Sequence, residues 1–178
     1  MVTDPPYGMA YASGWKKSSR VANDESPAVR DAILETWGER PALVFGRWSV
    51  PRPRATRMLL LWDKGDWPGM GDLALPWGPS TEEIYVLGEG FTGKRQGQLL
   101  RFPERPGPNA LHPTEKPVGL MVALVRACPE GVIVDPFMGS GSTLRAAKDL
   151  GRSAVGVELE ERYCERAAKR LGQEVMFA

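Results

Sequence analysis

The stretch from residue 131 to residue 171 places the tightest constraint on the fold. It begins with the apolar run Gly131-Val132-Ile133-Val134-Asp135 and continues into the loop Pro136-Phe137-Met138-Gly139-Ser140-Gly141-Ser142-Thr143. A helical pattern over 144–150 is closed by Gly151, and Ala154-Val155-Gly156-Val157-Glu158 makes a second apolar run. A second helical pattern follows over 160–171, with Tyr163, Ala167 and Leu171 on one face. Short apolar strands alternating with amphipathic helices form a mostly parallel sheet covered by helices.

The upstream half repeats the alternation. Ser26-Pro27 offers a helix start, with Ser as N-cap and Pro at the first helical position. Val29, Ile33 and Trp37 then give one apolar face, and Gly38 ends the helix. Ala42-Leu43-Val44-Phe45 and residues 57–62 read as buried strands, and 83–87 as a third, stopped by Gly88. Residues 9–25 and 88–111 read as loops, and from Pro117 the spacing of Leu120, Leu124 and Cys128 predicts a helix. A final short strand is expected over 174–177. No repeat and no long linker divides the chain, so residues 1–178 are expected to form one domain.

Composition narrows the function classes. The chain has 178 residues, 42% hydrophobic and 25% charged, as an ordinary globular domain does. No apolar run is long enough to span a membrane, and with three residues before Asp4 no signal peptide is expected. The two cysteines, Cys128 and Cys164, fit a reducing cytoplasm, and with a single histidine they argue against structural zinc. Net charge is +1, so positive charge is local. Lys16, Lys17 and Arg20 form one cluster, Arg47, Arg52, Arg54 and Arg57 a second, and Lys94, Arg95, Arg101 and Arg105 a third. Such clusters on loops can hold a polyanion, and Lys16, Lys17, Arg20, Lys94 and Arg95 are the candidates for that contact.

The unit strand–Asp135–loop–helix–strand–Glu158 outlines a nucleoside-cofactor site. Gly139 and Gly141 permit a tight turn and close backbone approach, and the helix near Ser142 aims its positive end at the loop. Glu158, 23 residues after Asp135, can accept hydrogen bonds from ribose hydroxyls. Leu144 occupies the third position of a GxGxxG pattern, and there is no GxxxxGK[ST] loop, which weakens phosphate-bearing ligands. A carboxylate directly before the loop suits a cationic ammonium group. An amino-acid-bearing nucleoside, S-adenosylmethionine, meets these conditions.

A second compact site lies at Thr3-Asp4-Pro5-Pro6-Tyr7-Gly8. Two prolines fix successive φ angles and remove two donors, so the segment is a stiff corner. It presents a carboxylate, free carbonyls and an aromatic ring. His112-Pro113-Thr114-Glu115-Lys116-Pro117 is another polar corner.

Asp4-Pro5-Pro6-Tyr7, the 112–117 corner and the 135–143 loop, in that order, resemble the DNA amino-methyltransferases whose catalytic motif precedes the cofactor motif, the beta arrangement of the adenine-N6/cytosine-N4 family. Trp62-Asp63-Lys64-Gly65 and Glu82-Glu83-Ile84-Tyr85-Val86 are similar to that family's central region. The resemblance implies a Rossmann-like, S-adenosylmethionine-dependent methyltransferase domain. Its sheet is expected to be seven-stranded and mostly parallel with one antiparallel strand, the first central strand being shortened. It implies catalytic roles for Asp4, Pro5, Pro6 and Tyr7. Asp135, Phe137, Gly139, Ser140, Gly141 and Thr143 are expected to line the cofactor, Glu158 to hold its ribose, and Thr114, Lys116 and Pro117 to wall its methionine end. His112 is expected to shape its corner. No metal is implied. Asp rather than Ser at position 4 resembles the adenine-specific members, making adenine-N6 methylation of DNA the expected activity. The alternatives are cytosine-N4 methylation and a catalytically weak subunit that binds cofactor and DNA beside a partner. Residues 88–111 are a small candidate target-recognition segment, so specificity is expected to be short, or shared with the 9–25 loop or with a second subunit, identical or different.

Overall fold

The structure, a computed structural model, describes residues 1–7, 26–65, 69, 71–103 and 115–172. Its elements are β1 (Val2–Thr3), α1 (Ala28–Trp37), β2 (Ala42–Gly46), β3 (Met58–Asp63), β4 (Thr81–Leu87), β5 (Leu99–Arg101), α2 (Val118–Ala127), β6 (Ile133–Asp135), α3 (Ser142–Asp149), β7 (Ala154–Gly156) and α4 (Glu161–Gly172). The strand expected over 174–177 lies outside the described residues.

The described strands form two ladders. A five-stranded sheet has the order β1-β2-β4-β3-β5, and β6 and β7 make a separate parallel pair. This corrects the expectation of one continuous, mostly parallel, seven-stranded sheet. β1 holds only two residues, which pair with Leu43 and Val44 of β2, so it offers too short a ladder to join β6 as well. Instead β1 and β6 meet through a side chain: Thr3 Oγ1 donates to Asp135 Oδ1 at 2.7 Å. The large sheet is mixed because β4 lies inside it, antiparallel to both β2 and β3. β1 and β5 are parallel to their neighbours.

Burial explains the strand chemistry. All five residues of β2 are buried, as a continuous apolar run predicts. β3 differs from the expectation of a buried strand: Met58 is exposed and Leu59, Leu60 and Leu61 are half-buried, and Trp62 alone is fully covered. The loop expected over 88–111 contains the short strand β5. Helix α1 begins at Ala28, one residue later than expected, with Pro27 in the capping place, and α3 begins two residues earlier, at Ser142.

The main core joins both ladders. Val2, Leu43, Phe45, Trp62 and Ile84 of the large sheet pack with Leu120, Met121, Leu124 and Val125 of α2, Ala146 and Ala147 of α3, and Ile133 of β6. A second core, with Val44, Tyr85 and Leu87, is covered by Ile33, Leu34 and Trp37 of α1. The strand directions bring the ends of β1, β2 and β3 and the start of β4 to one edge of the sheet. The chain leaving β1 at that edge is the Asp4 corner.

Candidate active site

At this edge the structure assembles a buried charge network. Lys116 Nζ lies 2.8 Å from Asp4 Oδ2 and 3.0 Å from Glu82 Oε2. Glu82 also pairs through Oε1 with Lys64, the residue that follows β3. The other Asp4 oxygen, Oδ1, accepts a 2.6 Å hydrogen bond from the Tyr7 hydroxyl. Lys116, only 8% exposed, stands 4.9 Å from the centre of the Phe45 ring and 5.8 Å from that of Trp62. Aromatic faces are attractive to a cation at such distances. Trp62 is itself fixed by a 2.9 Å bond from its indole N–H to the Phe102 carbonyl.

The electrostatics follow from this packing. Burial alone disfavours the Lys116 ammonium, but Asp4 and Glu82 outweigh it and hold its pKa above the ordinary range. Burial likewise disfavours the Glu82 carboxylate, yet Lys116 and Lys64 pull its pKa below the usual value. The Tyr7 phenol is pushed well up, by burial first and then by Asp4, so it remains a donor.

The Asp135 loop leaves the end of β6 at the seam between the two ladders. Asp135 is buried, and its Oδ1 accepts from Thr3 Oγ1 and, at 3.1 Å, from the Phe137 N–H. Gly139 and Gly141 both have positive φ, 50° and 82°. A Cβ on Gly139 would meet nothing within 4 Å, so the loop backbone faces open space there. A Cβ on Gly141 would lie 2.9 Å from the Ala167 Cβ, because α4 packs directly on the turn. Glu158 lies two residues beyond β7 and reaches back to the loop, its Oε2 accepting from the Gly139 N–H at 3.0 Å. Ser142 and Thr143 open α3 and are buried.

Sequence reasoning placed Asp4, Tyr7, Asp135, Gly139 and Glu158 without their partners. Lys116, expected to wall the cofactor, pairs with Asp4 and Glu82. Pro5 is buried, and Pro6 and Pro117 are half-buried, as are Phe137 and Ser140. Lys94 and Arg95 are exposed on the loop that leaves β4 at the sheet edge away from Asp4. The structure does not bring them to the corner. Lys16, Lys17, Arg20, His112 and Thr114 lie outside the described residues.

Four partners were missed. Thr3 and Glu82 are strand residues with buried polar ends, and Lys64 and Glu82 flank one hairpin, a pairing visible only once β3 and β4 are aligned. The fourth is Arg170 of α4, which donates to Ser142 Oγ at 2.9 Å and to the Ser140 carbonyl and hydroxyl oxygens, both at 3.2 Å, while pairing with Glu115. It ties the loop to the segment carrying Lys116. Nothing in local spacing marks it, since its partners lie 28 or more residues away.

A family model described as DNA methylase, for the N6 and N4 enzymes, matches residues 76–170. The chain belongs to the N6/N4 DNA methylase family. The matched span of this N6/N4 methylase contains Glu82, Lys116, the Asp135 loop and Glu158, and the Asp4 corner precedes it. Along nearly its whole length, the chain is similar to a protein of Escherichia coli (strain K12) named as a methylase, YubD. They are 27% identical over 191 residues, 96% of this chain and 80% of that protein. The fold matches that of M1.HpyAVI in complex with SAM, with a TM-score of 0.63 and 22% identity over 95% of this chain and 86% of that one. It also matches the cytosine-N4-specific PvuII DNA methyltransferase, with a TM-score of 0.67 and 14% identity over 99% of this chain and 80% of that one. The mixed α/β architecture is thus that of a methyltransferase.

Two predictions arise from the loop. Replacing Gly141 by alanine is expected to cost about 2 kcal/mol, because the left-handed backbone and the Ala167 contact both resist a Cβ. Urea unfolding checks it, and Gly139→Ala, with open space around it, should cost less.

The second concerns pH. Burial raises the Asp135 carboxyl from its usual 3.8 to about 6, against the opposing hydrogen bonds of Thr143 and Thr3. The folded protein therefore holds this proton more tightly than the unfolded chain does. The unfolded state binds fewer protons between roughly pH 4 and 6, so stability from this group is present at low pH and falls as pH rises through that window. Asp135→Asn, which retains an acceptor for Thr3, should remove this downward slope. Urea midpoints of wild type and variant at pH 4.5 and 7.5 test it, and a variant with the wild-type slope would refute the assignment.

Proposed function

We propose that this methylase transfers a methyl group from S-adenosylmethionine to the exocyclic N6 amino group of adenine in DNA. The observation that carries the reading is the Asp4 carboxylate, at the head of a proline-stiffened corner and charge-paired with Lys116. The cofactor reading is supported by the open space at Gly139 and by the carboxylate that Glu158 holds against the same loop. Asp135, Phe137, Ser140, Gly141 and Thr143 would complete that side, Glu158 would take the ribose hydroxyls, and Thr114, Lys116 and Pro117 would stand at the methionine end. Bound there, S-adenosylmethionine supplies an electrophilic methyl group on a positively charged sulfur.

The chain's own residues do the rest. An exocyclic amino nitrogen is a weak nucleophile because its lone pair is delocalised into the ring. Asp4 and the Pro5 carbonyl accept hydrogen bonds from that amine and favour a tetrahedral nitrogen. As positive charge develops on the nitrogen, the Asp4 carboxylate is already in place to stabilise it. Pro5 and Pro6 keep both acceptors from swinging away. Tyr7, tied to Asp4, offers a ring face to a base that has left the duplex, a stacking contact of about 1–3 kcal/mol.

The test is incubation of the protein with labelled S-adenosylmethionine and unmethylated genomic DNA, followed by nucleoside analysis. Label in N6-methyladenine is expected. Label in N4-methylcytosine would move the reading to the family's other activity. No label in either would favour a subunit that binds cofactor and DNA without catalysing transfer.

A further inference from the structure

The hairpin between β3 and β4 carries an unusual surface. Leu73, Leu75 and Trp77 are 79%, 56% and 78% exposed, three large apolar side chains at alternate positions of one turn. Trp48, in the turn that follows β2 at the same sheet edge, is 75% exposed. Single exposed apolar residues are ordinary on a globular protein. Several grouped at one edge, beside a reaction site, mark a contact surface.

The turn is also built to hold its place. The Lys64 N–H donates to the Ser80 carbonyl and the Gly69 N–H to the Pro79 carbonyl, both at 2.9 Å. Gly71 lies so close to Pro79 that a Cβ there would stand 2.6 Å from the proline Cδ. At the tip the Asp72 carboxylate accepts from the Ala74 N–H at 2.9 Å, and the Asp72 carbonyl accepts from the Leu75 N–H at 3.1 Å. The tip acid is thus used within the turn, which presents leucine and tryptophan outward. At its root the hairpin is gripped by Lys64 and Glu82, and Glu82 shares Lys116 with Asp4. The apolar tip and the acceptor corner therefore belong to one connected framework.

We propose that Leu73, Leu75 and Trp77 form a wedge that enters the base stack of duplex DNA where the target base leaves it. This inference rests on the DNA-methylating reading above and adds how the duplex is opened. Extruding a base leaves a gap between its stacked neighbours, and water fills such a gap poorly. Apolar side chains that enter it offset the lost stacking. The wedge acts on the duplex alone, because single-stranded DNA has no intact stack to open.

The test compares the wild type with the Leu73→Ser/Leu75→Ser/Trp77→Ser triple variant, whose changes all lie on exposed side chains, and with Trp77→Ala alone. Each is given unmethylated genomic DNA, either native or heat-denatured, and transfer and duplex affinity are both measured. On native DNA the triple variant is expected to lose at least about tenfold in kcat/KM, with a smaller loss for Trp77→Ala, while both match the wild type on denatured DNA. Duplex affinity should fall in parallel. Equal losses on the two DNA forms, or no loss of transfer or affinity on native DNA, would overturn the wedge and leave the functional reading intact. Wild-type protein that labels neither form would overturn the functional reading. The wedge would then stand or fall on the affinity comparison. Self-association of the wild type that disappears in the variant would assign the surface to a second copy of the chain and overturn the proposal.

Discussion

Replacing Lys116 by methionine is expected to destabilise the fold by about 3 kcal/mol and to remove most of the activity. The side chain is buried between two carboxylates and beside two aromatic rings. Methionine keeps most of the volume but leaves Asp4 and Glu82 facing each other without the intervening charge. Breaking a buried pair from one side is costly because the other charge stays uncompensated. Glu82 retains Lys64, so the larger consequence falls on Asp4. A second change, Glu82→Gln, should recover part of the stability in the methionine background and lower it in the wild type. Urea unfolding of the four proteins measures that coupling, and additive effects would show that the network is not a unit. Glu82 adds a pH signature. Its folded pKa lies below the ordinary value, so its contribution is present above that value and is lost as pH falls through the folded one.

Asp4→Ala is expected to lower kcat by about a thousandfold while leaving S-adenosylmethionine affinity close to the wild type. The two effects separate because, on the proposed reading, Asp4 lies on the acceptor side of the seam and the Gly139 loop on the other. Asp4→Asn is the sharper control. It retains an oxygen that can accept from the Tyr7 hydroxyl and loses the charge that pairs with Lys116. Activity in the asparagine variant close to that of wild type would mean that shape, and not charge, stabilises the amine. Single-turnover transfer and isothermal titration with the cofactor separate the two quantities.

The parts of this fold that were legible from sequence are those fixed by local chemistry. The Ala42–Phe45 run, the Ile33 and Trp37 contacts of α1 and the Gly/Ser loop after Asp135 each carry their structural reason within a few residues, whereas Val29 of the expected face does not join that core. What was not legible depends on pairing. The interior position of β4 makes the sheet mixed, and no property of residues 81–87 alone declares which strands will flank it. The same holds for the site. Asp4 and Glu158 could be read as strand-end acids, but the sharing of Lys116 by Asp4 and Glu82 needs three distant segments to converge. Lys116 could be named from its motif, but its partners are set by the edge where β1 ends and β4 begins.

The separation of the strands into two ladders has a consequence for how this enzyme can tolerate change. On the proposed reading, the acceptor corner belongs to one ladder and the donor loop to the other. Among the described residues no backbone ladder crosses between them; the Thr3–Asp135 bond and the side chains of α2, α3 and the shared core do. Alignment of the two reacting groups is therefore a matter of side-chain volume. A methyl group added at Ala146 or Ala147, in the shared core, would be felt as an error in the distance between nucleophile and methyl carbon. A displacement of about 1 Å at that distance can cost a hundredfold in rate. On that reading the core serves as the gauge that sets the gap across which the methyl group must pass.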